Sequence, residues 1–343
     1  MRMWRRLVVF LTAGSALCLL TGWGPAVRDP GSGLTLDSYH AAFLKFDAVP
    51  AVVAPVVDLV DGPTGARLYS MAAFEHHAIG SLTKLMTALL AVHRLALSRV
   101  VTVSGKAAST PGSTMYLMRG DRLSVRSLLY GLLLPSGNDA AEELAETMAG
   151  NDKRFASLAN RQAAAYGLLC SHYVTPHGLD AKGEYSCAVD VAALSRIVLG
   201  TRLLAHIVRT KQITVRGLGQ GEVFPLANTN LLLGTYPGII GVKTGTTDQA
   251  GGSLSAADRR DGHTLICVVL GSTDFGRFSD CAALLTFAFR DFVWPLEVNT
   301  MWSTQSLENG GAQAEYAPIP RWESTWARVI QGGLVTVPFD SHR

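Results

Sequence analysis

The segment GSLTKLMT at residues 80–87 begins the first long helical pattern of the chain. Apolar residues recur from there at helical spacing and predict an amphipathic helix of about four turns, namely Leu82, Leu85, Met86, Leu89 and Leu90. Ser81 and Lys84 are three positions apart, so they lie on one face of that helix. A serine hydroxyl becomes a good nucleophile only when a base takes its proton. The segment therefore predicts a nucleophile, Ser81, beside its base, Lys84.

Two further motifs supply the polar groups that this chemistry needs. The tripeptide SGN at 136–138 follows a predicted helix, Val125–Leu134, that stops at Pro135. The tetrapeptide KTGT at 243–246 ends a predicted strand. A lysine acts as a base only if its pKa falls, and a nearby second cation such as Lys243 lowers it. Each motif alone also fits a helix cap, a turn or a sheet-edge lysine, but together and in this order they favour one catalytic site.

Composition excludes several classes of protein. The chain has 343 residues, of which 48% are hydrophobic and 17% charged, so it has the apolar surface that disordered chains lack. The formal net charge of +3 is matched by three arginines and no acid within residues 1–26, which leaves the remainder neutral. Nucleic acid is therefore not the expected partner, because phosphate binding needs a positive surface.

The N-terminus has the pattern of an export signal. Residues 1–26 combine a basic start, the apolar run Leu7–Leu20 and small residues before a predicted cleavage site after Ala26. An uncleaved anchor is the alternative, and it would be the chain's only tie to a membrane. We predict export in either case, with residues 27–47 as a leader into the folded part.

The predicted elements place strands near both ends of the folded part and helices between them. The strands fall at 52–60, 66–71, 100–103, 239–244, 252–257 and 264–270, and the later helices at 125–134, 138–149, 155–166, 189–199 and 277–292. This order predicts helices covering a mainly antiparallel sheet built from N- and C-terminal strands.

The three motifs resemble the serine penicillin-recognising enzymes, whose signature is S-x-x-K, S-x-N and K-T-G. Longer segments are similar to the D-alanyl-D-alanine carboxypeptidases of peptidase family S11, the low-molecular-mass penicillin-binding proteins, and they lie at 80–87, 128–141, 176–180, 228–230, 243–247 and 250–251. The resemblance implies an α/β fold (an α+β sandwich) of the β-lactamase/transpeptidase type, with a mainly antiparallel sheet covered by helices on both faces. It implies a catalytic domain at 48–294 and leaves 295–343 as a tail without an assigned role.

The resemblance also assigns roles to residues. Ser81 would form the acyl-enzyme, Lys84 would be its general base, and Ser136 would relay a proton to the leaving group. Substrate binding would fall to Asn138, Lys243, Thr244, Gly245 and Thr246, with Lys243 and Thr244 on the terminal carboxylate. The backbone N–H groups of Ser81 and Thr246 would form the oxyanion hole. His177 is expected to be structural, and neither a cofactor nor a metal is expected.

The implied function is removal of the terminal D-alanine from peptidoglycan stem peptides ending in D-Ala-D-Ala, with β-lactams as covalent inhibitors. The alternatives are a murein D,D-endopeptidase, a class A-like β-lactamase and a catalytically silent peptidoglycan-binding relative. No glutamate between the second and third motifs begins the sequence E-x-x-L-N, so we predict a poor β-lactamase. Thr229 stands where some relatives carry a carboxylate-binding arginine, which shifts that work onto Lys243 and Thr244.

Cysteine usage leaves the disulfide pattern open. Loss of Cys18 with the signal leaves four cysteines, which allow three pairings or four buried thiols. Cys170 and Cys187 are 17 positions apart, flank the His177 segment and would reach an oxidising compartment. We therefore hypothesise a disulfide between these two.

Overall fold

A computed structural model of the chain describes residues 49–219, 221–294 and 319–320. The predicted signal or anchor at 1–26 and the leader at 27–47 lie outside the described residues, as does nearly all of the tail at 295–343. The described residues between 49 and 319 belong to one compact unit.

Eleven strands are present among the described residues. In chain order they are β1 (Val56–Asp61), β2 (Arg67–Met71), β3 (Val100–Thr102), β4 (Arg122–Ser124), β5 (Gln212–Arg216), β6 (Val223–Ala227), β7 (Ile239–Thr247), β8 (Gly251–Arg260), β9 (His263–Ser272), β10 (Phe292–Val293) and β11 (Ile319–Pro320). Five of them form the central sheet in the order β2-β1-β9-β8-β7, and every neighbouring pair is antiparallel. Strands from both ends of the unit thus meet in one antiparallel sheet, as predicted.

Eight α-helices accompany the strands in the described part of the chain. They are α1 (Lys84–Arg94), α2 (Gly105–Ala108), α3 (Val125–Leu133), α4 (Asn138–Ala149), α5 (Asp152–Ala165), α6 (Ala188–Gly200), α7 (Arg202–Arg209) and α8 (Gly276–Asp291). The observed bounds of α4 equal the predicted ones, and the Ser124 hydroxyl caps α3 by accepting a hydrogen bond from the Ser127 N–H at 3.1 Å. α1 is shorter than predicted, because its first turn is a separate 3₁₀ helix, Gly80–Thr83.

Alternate residues of β9 point to opposite faces of the sheet, as the two-residue period of a strand requires. Ile266 and Val268 join a core cluster that includes buried residues of α1, α3, α4, α5 and α6. Leu265 and Cys267 join a second cluster, which is covered by α8. Helices therefore cover both faces of the sheet, and the predicted fold class is confirmed.

The sequence patterns missed α7 and the hairpin of β5 and β6. α7 follows α6 after the single residue Thr201 and has only eight residues, which is short for a separate helix, although its buried residues Leu204, Ile207 and Val208 fall at helical spacing. β6 contains Pro225, a residue that argues against a strand because it cannot donate a ladder hydrogen bond. Within the described residues, no single helix is long and apolar enough to cross a bilayer, although α6 and α7, bent by 104°, pass that test of length and composition as a pair.

Candidate active site

Ser81 and Lys84 lie at the junction between the 3₁₀ turn and α1. Ser81 is inside the turn, Lys84 is the first residue of α1, and the turn begins after Ile79 without any side-chain cap. Ser81 is therefore not a helix cap. Instead, its Oγ lies 2.7 Å from Lys84 Nζ, in the contact that the spacing of three predicts.

The Lys84 amine is completely buried and lies within hydrogen-bond distance of three oxygen atoms. One is Ser81 Oγ, and the amine donates to the other two, Asn138 Oδ1 at 2.7 Å and the carbonyl oxygen of His177 at 2.6 Å. Both carbonyl oxygens can only accept, so each requires a proton from the amine. A neutral amine has two such protons, and its lone pair then faces the Ser81 hydroxyl. The neutral form of Lys84 is thus oriented to take the proton of Ser81.

The surroundings of Lys84 favour that neutral form. Burial, followed by the nearby charge of Lys243, holds the pKa of Lys84 well below its usual value. Glu184 and Asp139 act in the opposite direction but do not outweigh these two causes. A buried amine loses the hydration that stabilises its charged form, which is the physical reason for the lowered pKa.

Asn138 is held in one orientation at the start of α4. Its Nδ2 donates to the carbonyl oxygen of Pro111 at 2.6 Å, so its Oδ1 must face Lys84. The neighbouring Asp139 accepts hydrogen bonds from the backbone N–H of Met115, which ties the segment before α3 to the same helix end. The second motif is therefore a rigid wall of the site.

Ser136 has an unusual backbone conformation and an unusual hydroxyl environment for a serine. Its φ is +66°, in the left-handed region that non-glycine residues rarely adopt. Its hydroxyl is buried and has no hydrogen-bond partner among the described residues. A buried hydroxyl without a partner costs free energy, and strained residues of this kind cluster at functional sites. A ligand atom that bonds to Ser136 Oγ would remove that cost.

Among the described residues, Lys243 on β7 has fewer hydrogen-bond partners than Lys84. It is buried, and its Nζ donates to the carbonyl oxygen of Thr244 at 3.0 Å. Burial and the charge of Arg277 lower the pKa of Lys243 to about 7. The hydroxyls of Thr244 and Thr229 lie 2.6 Å apart. Thr229 therefore fixes the side chain of Thr244.

Gly245 lets β7 approach the Ser81 turn. A Cβ atom at position 245 would lie 2.6 Å from the Ile79 carbonyl oxygen and 3.3 Å from the Ser81 nitrogen, so a side chain would push the two segments apart. Correspondingly, a Cβ on Gly80 would lie 3.2 Å from the Thr246 nitrogen. The backbone nitrogens of Ser81 and Thr246 thus belong to two segments in direct contact.

Arg277 is the residue of this site that the sequence analysis missed. Its Nη1 donates to the Gly245 carbonyl oxygen at 2.9 Å and to Thr246 Oγ1, while its Nε is buried without a partner in the described part of the chain. One signal was available, because Arg277 stands in the first turn of α8, where the helix dipole disfavours a cation. A second cation besides Lys243 therefore lies at the KTGT strand.

The His177 segment forms the remaining wall. A Cβ on Gly178 would lie 1.9 Å from the Gly80 carbonyl oxygen, so this loop packs directly on the 3₁₀ turn. Further along, Asp180 accepts a hydrogen bond from Thr247 Oγ1 at 2.6 Å. The loop therefore joins the Ser81 turn to β7 and presents the His177 carbonyl to Lys84.

The structure contains the hypothesised disulfide. Cys170 and Cys187 are bonded, with their Cα atoms 5.8 Å apart, and they enclose the His177 segment. Cys267 and Cys281 are buried free thiols.

Comparison with known proteins identifies this arrangement. A family model for peptidase S11, D-alanyl-D-alanine carboxypeptidase, matches residues 45–274. The chain belongs to this family. It is 34% identical over 269 residues to D-alanyl-D-alanine carboxypeptidase DacF of Bacillus subtilis, covering 77% of this chain and 67% of that protein. It is also 34% identical over 304 residues to DacC of Escherichia coli, covering 80% and 75%.

Solved structures agree with the family assignment. A DD-transpeptidase from Streptomyces is similar with a TM-score of 0.68 and 32% identity, over 71% of this chain and 99% of that one. Penicillin-binding protein 6B from Escherichia coli gives a TM-score of 0.68 and 32% identity, over 80% and 86%. The S11 chain is thus a serine hydrolase with a DD-peptidase fold. The predicted family and the predicted enzyme class are both confirmed.

Proposed function

We propose that this S11 protein is a serine D-Ala-D-Ala carboxypeptidase in which Ser81 is the nucleophile and Lys84 its base. The observation that carries the proposal is the arrangement around Lys84 Nζ. Two carbonyl oxygens accept hydrogen bonds from this amine, and Ser81 Oγ faces its lone pair. The activity for which relatives such as DacF and DacC are named, D-alanyl-D-alanine carboxypeptidase, supports the substrate class.

Acylation follows from these positions. Ser81 Oγ attacks the carbonyl carbon of the penultimate D-alanine while Lys84 Nζ takes the hydroxyl proton. The N–H groups of Ser81 and Thr246 would stabilise the oxyanion, because preorganised donors act most strongly where charge develops. When the C–N bond breaks, the proton passes from Lys84 through Ser136 Oγ to the departing D-alanine amine.

Deacylation uses the same base, with a water molecule in place of the departed D-alanine. A water molecule attacks the ester carbonyl carbon as Lys84 takes its proton. The C–O bond then breaks, and Ser81 Oγ regains the proton from Lys84. The shortened peptide leaves, and the enzyme returns to its starting protonation state.

The terminal carboxylate of the substrate would bind at β7. Lys243, Arg277 and the hydroxyls of Thr244 and Thr246 bring two cations and two hydroxyl groups to one strand end. Asn138 would hold the peptide amide from the opposite wall. Thr229 takes part indirectly, by fixing the Thr244 side chain.

We also propose export, since peptidoglycan lies outside the cytoplasm and residues 1–26 have a signal or anchor pattern. Cell fractionation of a tagged full chain should recover it with the envelope or the medium. Recovery in the cytoplasm would contradict export without bearing on the chemistry.

Two measurements on one preparation test the activity. The protein should release D-alanine from diacetyl-Lys-D-Ala-D-Ala and form a long-lived penicilloyl adduct, and Ser81→Ala should do neither while keeping its fold. Rapid, repeated penicillin hydrolysis without D-alanine release would identify a β-lactamase instead. Mass spectrometry of digested muropeptides separates the remaining alternatives, since loss of one alanine indicates a carboxypeptidase and splitting of dimers an endopeptidase.

A further inference from the structure

A second group of ionisable side chains lies directly behind Lys84. Glu142 is one helical turn beyond Asn138 on α4, so both residues lie on the same side of that helix. Its carboxyl group is buried, with Oε1 at 2.5 Å from Lys106 Nζ of α2. The same ammonium group contacts Asp152 Oδ1 at the start of α5, also at 2.5 Å. Nothing in the mechanism above uses these residues.

The hydrogen bonds of His177 fix which ring nitrogen carries its proton. The Leu179 N–H donates to His177 Nδ1 at 3.2 Å, so Nδ1 is unprotonated and the proton of the neutral ring is on Nε2. That Nε2–H faces Glu142 Oε2 at 3.9 Å. This separation is too long for a hydrogen bond but short enough for a buried carboxylate charge to orient the N–H dipole.

The backbone of His177 connects this group to the proposed base. The carbonyl oxygen of His177 lies 2.6 Å from Lys84 Nζ and is one of the two acceptors that orient its lone pair. The side chain of the same residue points at Glu142. Because Nδ1 of the same ring accepts from the Leu179 N–H, a displacement of the ring would disturb the loop backbone that carries this carbonyl.

The ionisation states suit such a role. Burial and the charge of Lys84 lower the pKa of His177 to about 4, so the ring stays neutral at physiological pH. Burial, and after it the neighbouring Asp152 carboxyl group, raise the pKa of Glu142 to about 7, against the opposing effect of Lys106. The charged or titratable groups facing Glu142 are Lys106 from α2, Asp152 from α5 and His177 from the loop, and Lys84 of α1 lies behind His177.

We propose that Glu142 is a positioning residue for Lys84, whose carboxylate orients the His177 ring and thereby holds the His177 carbonyl against the Lys84 amine. The proposal rests on the proposed function, because it assigns Glu142 to the base of that reaction. It predicts that the ionised form of Glu142 supports acylation better than the neutral form. The advantage is fully present above the pKa of Glu142 and is lost as the pH falls through about 7.

The test compares Glu142→Gln with a matched control, Glu143→Gln. Glu143 is the next residue of α4 and is equally buried, but its carboxylate accepts from the Ser104 N–H at 2.8 Å, away from His177. The rate of acylation by a fluorescent penicillin is measured for all three proteins from pH 6 to pH 8.5. The ratio of the wild-type rate to the Glu142→Gln rate should rise from about 2 at pH 6 to about 10 at pH 8, a loss of the size that small misplacements of catalytic groups cause.

The control should behave differently. For Glu143→Gln the ratio should stay constant across the pH range, within about twofold, because no group that it contacts reaches Lys84. A ratio for Glu142→Gln that is flat with pH, or an equal pH-dependent ratio for Glu143→Gln, would overturn the positioning role. A wild-type protein that is not acylated at all would instead overturn the proposed function, so the two failures are distinguishable.

A spectroscopic measurement covers the case in which Glu142→Gln does not fold. Nitrogen NMR of the ¹⁵N-histidine-labelled wild-type protein should show His177 protonated on Nε2 alone from pH 5.5 to pH 8.5. The ¹⁵N chemical shift of Nε2 should change with pH, and the midpoint of that change should lie near pH 7, where Glu142 ionises. A His177 ring that itself takes up a proton near neutral pH, or a shift without a midpoint in this range, would contradict the proposal.

Discussion

Lys84 and Lys243 are two buried lysines of one cleft, and their surroundings differ. Lys84, on α1, has three oxygen atoms around its amine, from Ser81, Asn138 and His177. Among the described residues, Lys243 donates only to the carbonyl oxygen of its neighbour Thr244. Both lysines have lowered pKa values, and burial is the main cause in each case.

The difference explains how one residue type supplies two functions. The acceptors around Lys84 use both protons of a neutral amine and leave its lone pair to Ser81, which makes it a base. Lys243 retains donors for a ligand, and Arg277 beside it marks this strand as the place for an anion. Burial alone sets neither role; the number and type of neighbouring polar atoms do.

The largest expected effect comes from replacing the base. Lys84→Met removes the proton acceptor while preserving side-chain length, and it should lower the acylation rate by about 1,000-fold, within the range for general-base catalysis. Stopped-flow labelling with a fluorescent penicillin measures this loss, and thermal unfolding checks that the variant is folded. Acylation within tenfold of wild type would show that another group is the base.

Replacing the anion-binding lysine should cost less. Lys243→Ala should lower kcat/KM for a D-Ala-D-Ala peptide by about 100-fold, and Lys243→Arg by about tenfold, because arginine retains the charge but not the geometry. The loss should fall largely on KM, which steady-state assays of D-alanine release resolve. If Lys243→Ala turned over normally, Lys243 would lie outside the carboxylate site.

The ionisation of Lys243 should also be visible in the pH dependence of kcat/KM. The protonated form of Lys243 binds the carboxylate, and the pKa of this lysine in the free enzyme is about 7. The value of kcat/KM for the peptide should therefore fall as the pH rises from 7 to 9, by about fivefold because Arg277 remains charged. The same decline should be weaker in Lys243→Arg, whose guanidinium does not deprotonate. An identical alkaline limb in both proteins would assign it to a different group.

The smallest expected effect on activity comes from the disulfide. Its loop presents the His177 carbonyl to Lys84 and contacts β7 at Thr247, beyond the KTGT motif. The double variant Cys170→Ala, Cys187→Ala should lose about 3 kcal/mol in the free energy of unfolding, by the chain-entropy model for a loop of this size. Denaturant titration measures that loss, and the folded variant should keep kcat/KM within about twofold. Unchanged stability would mean that the crosslink constrains nothing.

The sequence predicted the parts of this site that are local along the chain. The contact of Ser81 with Lys84 follows from helical spacing, and α4 begins at Asn138 as its pattern indicates. The fold class followed from strands at both ends of the unit, since the period of two in β9 gives each face its own core.

The remaining parts depend on contacts between distant segments. Arg277 reaches the KTGT strand only because α8 begins beside the end of β7, which no spacing rule predicts. His177 contributes its backbone carbonyl. Every residue has this group, so the residue type cannot predict the contact. Glu142 has the sequence context of an ordinary helix surface, whereas in the structure it is buried and pairs with Lys106 of α2.

Acylation by two matched penicillins tests the division between the lysines most directly. Benzylpenicillin carries the carboxylate that Lys243 is proposed to bind, whereas its methyl ester lacks it. Lys84→Met should lose acylation by both compounds to a similar extent, and Lys243→Ala should lose far more with benzylpenicillin than with the ester. Equal losses with both compounds in Lys243→Ala, or a loss confined to benzylpenicillin in Lys84→Met, would contradict the assignment of Lys84 as base and Lys243 as anion anchor.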